Sequence, residues 1–121
     1  MKPKKTLVLG ASGNPSRYSH LAIQRLRSHG HPVVAIGRRM ARVADTDIST
    51  VRPIVDDIDT VTMYMNEKHQ EEYLDYIVGL KPKRIIFNPG TENNKLIDMA
   101  EKNGIEPVIG CTLVMLGTGQ Y

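Results

Sequence analysis

The stretch LVLGASGNPSRYSH, Leu7 to His20, decides the fold. Its apolar start reads as a strand over residues 6–9, its middle as a turn, and its end as the opening of a helix over 18–29 with Leu21, Ala22 and Leu26 on the apolar face. Gly30 follows as the residue that stops that helix. A strand that runs through a glycine turn into a helix leaves backbone N–H groups free where the helix dipole is positive, and both features favour an anion. Gly10 suits the tight turn, Gly13 suits close backbone approach, and Ser12 and Asn14 offer hydrogen bonds. The loop Gly10-Ala11-Ser12-Gly13-Asn14-Pro15 matches G-x-G-x-x-G only in part, and no Gly-Lys-Ser/Thr follows to make it a P-loop. From the loop alone, a phosphate cradle and an ordinary tight turn both remain open.

The pattern continues outward from this unit. Residues 32–36, PVVAI, read as a second strand, and the first two strands with their helix span the roughly 30 residues that a right-handed crossover needs. A third strand is expected over 60–65, then a helix over 67–78 with Tyr73, Leu74, Ile77 and Val78 inward and Gly79 as its stop. Fourth and fifth strands follow at 83–87 and 106–109. Between them lies a helix opened by Thr91 as N-cap, stopped by Gly104, and carrying Leu96, Ile97 and Ala100 toward the sheet. Residues 37–59 show no clear period and are expected to hold at most a short helix and a turn at Arg52-Pro53. The alternation predicts an α/β fold: a Rossmann-like, doubly wound, mainly parallel five-stranded sheet with helices on both faces, formed as one domain by residues 1–121.

Composition agrees. At 121 residues the chain suits one core, and 40% hydrophobic with 24% charged residues is globular rather than disordered. A formal charge of +3 favours a small anionic ligand. With no tryptophan and one phenylalanine, nucleic-acid binding is not expected. No apolar run is long enough to span a bilayer, the N-terminus is a poor signal peptide, and the single cysteine fits a reducing compartment, so no membrane association and a cytoplasmic location are expected. No motif identifies a protein partner.

In a doubly wound sheet the ligand lies beyond the carboxyl ends of the strands. That rule selects residues 10–18, 37–40, 66–68, 88–91 and 110–112. In the first of these, Arg17 is placed for bidentate contact with a phosphate, beside Pro15 and Tyr18. A protein holding NAD puts Asp or Glu at the end of the second strand to meet the ribose hydroxyls; this chain has Gly37-Arg38-Arg39. Two arginines suit a phosphorylated ribose, which leaves NADP and coenzyme A as candidates, against the alternative of a solvated basic loop. Asn88-Pro89-Gly90-Thr91 again joins a strand end to a helix start and is either a ligand contact or a turn with its cap.

No catalytic or metal-binding set emerges. Asp56, Asp57 and Asp59 precede a strand, away from the crevice, and read as a solvated turn. His20, His29, His31 and His69 have no ligand spacing, and His29 and His31, flanking a turn, are expected at the surface. Cys111 follows the fifth strand with no histidine paired to it and reads as structural.

Gly10, Ser12, Asn14, Pro15, Arg17 and Ser19 match in register the pattern Gly-x-Ser-x-Asn-Pro-x-Arg-x-Ser. In this the chain resembles the small stand-alone CoA-binding domain proteins, which are related to the CoA-binding domain of the succinyl-CoA synthetase alpha subunit. The similarity runs through nearly the whole chain, including Leu26, Gly30, Asp59 and Cys111. The resemblance implies coenzyme A as ligand, with pyrophosphate at Ser12, Gly13, Asn14 and Arg17, and the nucleotide end at Arg38 and Arg39, bordered by Met65 and Asn66. This chain departs from the family in having Gly37-Arg38-Arg39 where Asn-Pro is common, Asn88-Pro89-Gly90 where Gln-x-Gly is common, and His20 where an aromatic is common. The synthetase subunit's phosphorylated histidine lies on a separate domain that has no room here. The expectation is therefore a non-catalytic module for coenzyme A or an acyl-CoA, the alternatives being an NADP-linked oxidoreductase or its cofactor domain, and an interaction protein that binds no ligand.

Overall fold

The computed structural model describes residues 2–121. It contains β1 (Thr6–Ala11), α1 (Tyr18–Ser28), β2 (Val33–Gly37), β3 (Ala41–Val43), β4 (Thr46–Ser49), β5 (Thr60–Met63), α2 (Glu67–Gln70), a 3-10 turn (Glu71–Tyr73), α3 (Leu74–Gly79), β6 (Arg84–Phe87), α4 (Asn94–Lys102), β7 (Glu106–Ile109) and α5 (Thr112–Gly117). The sheet order is β3-β4-β2-β1-β5-β6-β7. Every pairing is parallel except β3 with β4. The doubly wound class is as expected, but the sheet has seven strands rather than five.

The two extra strands lie in the stretch expected to be irregular. Strands of three and four residues are too short to show a period, and this hairpin sits at the sheet edge. Within it, Arg42 of β3 pairs with Asp47 of β4 at 2.7 Å, and a tertiary contact holds it to the body: Arg27 of α1 grips Asp45 at its tip with two hydrogen bonds of 2.8 and 2.9 Å. The Arg27 guanidinium holds the Asp45 carboxyl at about 2. The other edge is closed by proline. Glu106 and Gly110 donate their N–H groups to Lys83 and Phe87 of the β6 segment, so Pro107 faces outward, where its missing N–H denies a partner strand a hydrogen bond.

Alternation along the central strands sends side chains to two cores. Leu7, Leu9, Val61, Met63, Ile85 and Phe87 meet Leu74 and Ile77 of α3 and Leu96 and Ala100 of α4 on one face. Val8, Ala35, Ile48 and Ile86 meet Ile23 and Leu26 of α1 and Leu116 of α5 on the other. Leu21, Val78 and Ile97, expected inward, are half-buried, and Ile23 is the fully buried residue that the sequence reading of α1 omitted.

Helix ends explain the remaining differences. The single helix expected over 67–78 is broken by the 3-10 turn, and the chain reverses at Lys81, φ +52°, after a helix that includes Gly79. Asn93, rather than Thr91, caps α4 by accepting from the Leu96 N–H at 3.3 Å; Thr91 is buried and its hydroxyl donates to the Asn88 carbonyl at 2.8 Å. Gly30 and Gly104 end their helices with φ of +83° and +72° as glycine allows. His31 is fully buried rather than exposed: its Nδ1 accepts from the Lys4 N–H at 2.9 Å and its ring packs on Tyr121, 4.9 Å between centroids.

Candidate functional site

Strand order reverses at β1, which has β2 on one side and β5 on the other. The carboxyl ends of these strands therefore bound the crevice that the fold reserves for a ligand. Two close approaches fix its floor. A Cβ on Gly10, whose φ is +94°, would stand 2.8 Å from the Met65 nitrogen and 2.8 Å from the Tyr64 carbonyl carbon, and a Cβ on Gly37 would collide with the Ala11 carbonyl oxygen. The end of β1 is thus wedged between the ends of β5 and β2 by two positions where only glycine fits. Gly13 then carries the loop past the start of β3, where its Cβ would come 2.7 Å from the Ala41 Cβ. The loop after β1 and the arch 38–40 consequently lie side by side.

The loop is shaped by its own side chains. Ser12 Oγ accepts from the Asn14 N–H at 3.0 Å, and Asn14 Oδ1 accepts from the Ser16 N–H at 3.0 Å and the Ser16 hydroxyl at 2.9 Å. The Arg17 N–H closes the turn onto the Asn14 carbonyl at 3.0 Å. Ser12 and Asn14, read from sequence as ligand donors, serve here as acceptors that preform the loop. Arg17 is the backbone N-cap of α1, and among the described residues no side chain caps this helix and no acidic residue lies in its first turn. The dipole at this end meets only solvent and the exposed Arg17 and Tyr18.

Arg38 and Arg39 project from the arch, both exposed. Neither they nor Arg17 joins an ion pair among the described residues. Charges left unpaired beside a helix N-terminus make this corner of the molecule receptive to anions. Met40, Val51 and Ile54, exposed by 81%, 66% and 97%, carry apolar surface on the neighbouring loops. The loop bearing Val51 and Ile54 is tied down: the Arg52 guanidinium lies 4.0 Å from the Tyr73 ring centre and donates to the Glu72 carbonyl at 2.8 Å, while the Tyr76 hydroxyl donates to the Pro53 carbonyl at 2.6 Å.

On the other side of β1 the crevice is bounded by the ends of β5, β6 and β7. Met65 is buried against the hydrophobic core, and Asn66 is exposed and caps α2 by accepting from the His69 N–H at 3.0 Å. Pro89 and Gly90 are exposed, whereas Asn88 is 2% exposed. The Asn88 side chain donates to Thr62 Oγ1 and to the Met63 carbonyl, both at 2.8 Å, and accepts from the Thr112 N–H at 2.8 Å. Thr62 and Thr112 hydroxyls bond each other at 2.7 Å. Beneath them lies the buried Tyr64 hydroxyl, its pKa pushed up first by that burial. Cys111 stands half-buried at the β7–α5 junction. The sequence reading placed Thr112 in the crevice segment 110–112 but missed Thr62 and Tyr64; their strand positions resemble ordinary core alternation, and only strand order brings them to Thr112.

The crevice is an open shelf across strand ends. Concave sites of about 420 Å³ and about 460 Å³ lie elsewhere, one in the notch between β2 and β4 beside Arg27, the other below α3 and α4 beside Lys81 and Asn103. Neither gathers converging donors at a strand terminus, which is why the shelf is the candidate. Among the described residues no group of three or more His, Cys, Asp or Glu could hold a metal ion, and no helix is long and apolar enough to cross a membrane.

Comparison with known proteins agrees with this fold. A crystal structure described as that of an uncharacterized protein is 50% identical, with each chain covered completely and a TM-score of 0.97. A hypothetical protein from Pyrococcus horikoshii shares the fold at 22% identity and a TM-score of 0.85, with 98% of this chain and 84% of that one covered. A protein from Thermus thermophilus does so at 19% identity and 0.86, covering 98% and 91%. No protein of curated function matches. The family model for the CoA binding domain matches residues 4–117, so the chain belongs to the CoA binding domain family.

Proposed function

We propose that this chain is a non-catalytic binding module for coenzyme A or an acyl-CoA, with the pyrophosphate at the loop 10–17 and the 3′-phosphate at Arg38 and Arg39. The observation that carries the reading is the junction of the preformed loop, the uncapped α1 N-terminus and three unpaired arginines in one corner of the crevice. Family membership supports the coenzyme A moiety. The residues fit it: backbone N–H groups and guanidinium forks are the usual partners of phosphate oxygens. Gly13, Asn14, Pro15 and Tyr18 would line the pyrophosphate, and Met65, Asn66, Pro89 and Gly90 the path of the pantetheine arm. The charged side chains at this corner, Arg17, Arg38 and Arg39, are all cations, which suits an anion.

The same arginines would also suit the 2′-phosphate of NADP, and titration calorimetry separates the two. Under the proposal coenzyme A binds, dephospho-coenzyme A binds about tenfold or more weakly through loss of one charge-assisted contact, and NADP gives no heat. Binding of NADP without coenzyme A would overturn the reading. Equal affinity for coenzyme A and its dephospho form would remove Arg38 and Arg39 from the site.

A further inference from the structure

Asn88 lies at the strand end where a ligand contact is expected, yet its side chain is buried and bonded to the protein on every side. Its Nδ2 reaches Thr62 and Met63 at the end of β5, its Oδ1 takes the first N–H of α5 from Thr112, and its backbone carbonyl receives both the N–H and the hydroxyl of Thr91, at 3.0 and 2.8 Å. One residue of β6's end thus fixes three segments: the end of β5, the turn 88–91 and the start of α5. Beside it, Gln70 bridges the Met65 and Thr91 carbonyls at 2.9 and 2.7 Å and accepts from Asn93 at 3.0 Å. These two buried amides tie together the end of β5, the turn 88–91 and the starts of α4 and α5.

The β1–β2 side is built differently. There the close contacts of Gly13 with Ala41 and of Gly37 with Ala11, and the short turns of residues 12–17, set the geometry, while Gly10 packs across onto Tyr64 and Met65 at the end of β5. None of those contacts passes through Asn88. We infer that the crevice consists of two halves that meet where Gly10 packs on the end of β5 but are held by hydrogen-bond networks with no residue in common, and that Asn88 is a positioning residue for the half that receives the pantetheine arm.

This rests on the coenzyme A reading. With the nucleotide end at Arg38 and Arg39 beyond β2 and the pyrophosphate at β1, the rest of the ligand has to run the other way, over the ends of β5, β6 and β7. At roughly 4.8 Å per strand spacing, β7 lies roughly 14 Å beyond β1. An arm crossing that distance depends on the heights of the turns that Asn88 holds. Removing the Asn88 amide leaves the buried Thr112 N–H without its acceptor and takes one donor from the Thr62 hydroxyl, which keeps its bond to Thr112; α5 relieves the loss by shifting.

The test pairs full coenzyme A with 3′,5′-ADP, which carries the phosphorylated nucleotide end alone. Calorimetry on Asn88→Ala should show coenzyme A affinity reduced about tenfold or more, as expected for a misplaced buried contact, with 3′,5′-ADP affinity unchanged. Retained 3′,5′-ADP binding also reports that the variant is folded. Thr112→Pro is the second variant: at a first helical position that tolerates proline, it deletes the N–H bond to Asn88 together with the hydroxyl bond to Thr62, both on the β5–β7 side, and should reproduce the split. Equal losses for both ligands, or no loss for either, would overturn the inference while leaving the coenzyme A reading intact. Wild-type protein that binds neither ligand would overturn that reading, and this inference with it.

Discussion

Replacing Gly10 by alanine tests the close approach that sets the crevice floor. Two costs add. The positive φ of +94° penalises an L side chain by about 1–2 kcal/mol. The new methyl would also stand 2.8 Å from two backbone atoms of residues 64 and 65, and relieving such an overlap in a packed region costs about 1–3 kcal/mol. The sum, about 2–5 kcal/mol, is a large fraction of the stability of a domain this size. Gly90→Ala is the internal control, because Gly90 has a similar φ of +88° with nothing within 4 Å of its added Cβ. It should lose only the first cost, about 1–2 kcal/mol. Urea unfolding followed by circular dichroism gives both values from the midpoint shifts at constant slope. The difference between the two variants isolates the wedge between β1 and β5. Destabilisation of Gly10→Ala no greater than that of Gly90→Ala would refute the claim that close packing, and not backbone conformation alone, requires glycine at residue 10.

Acid should destabilise the fold through His31. Its folded-state pKa is lowered from 6.5, first by burial and then by His29, Lys4 and Arg84, so the unfolded chain binds the proton more tightly and stability falls as pH drops below about 6.5. His31→Asn keeps an acceptor for the Lys4 N–H without titrating; urea midpoints between pH 7 and 5 should fall less steeply in that variant, and an unchanged slope would remove His31 as the cause. Lys81→Gly should raise stability by about 0.5–1 kcal/mol, because exposed Lys81 holds a φ of +52° that glycine adopts without strain; a lower urea midpoint would count against this. Arg17→Ala should weaken coenzyme A by about 1–3 kcal/mol while leaving the urea midpoint unchanged, since Arg17 is exposed and makes no ion pair.

The chain's own order of residues determined the α/β class, five of the seven strands and the helices between them, though not α5 after β7. These are local matters: apolar periodicity of 2 or 3.6, glycine where a helix stops, and a polar turn between strand and helix all act within a few residues. Even where local signals misled, the error was local, as when Asn93 rather than Thr91 capped α4. Tertiary structure alone decided the edge hairpin, because β3 and β4 are too short to carry a period and are held against α1 by Arg27, 18 residues from its partner Asp45. It alone decided the burial of His31, whose acceptor role depends on Lys4, 27 residues away. The same holds for Asn88. In sequence it is one residue of a polar turn; in the folded chain its amide joins Thr62, Met63 and Thr112, partners 24 to 26 residues distant. A hydrogen bond between strands depends on which strands are neighbours, and neighbourhood follows from how the whole sheet buries its two faces.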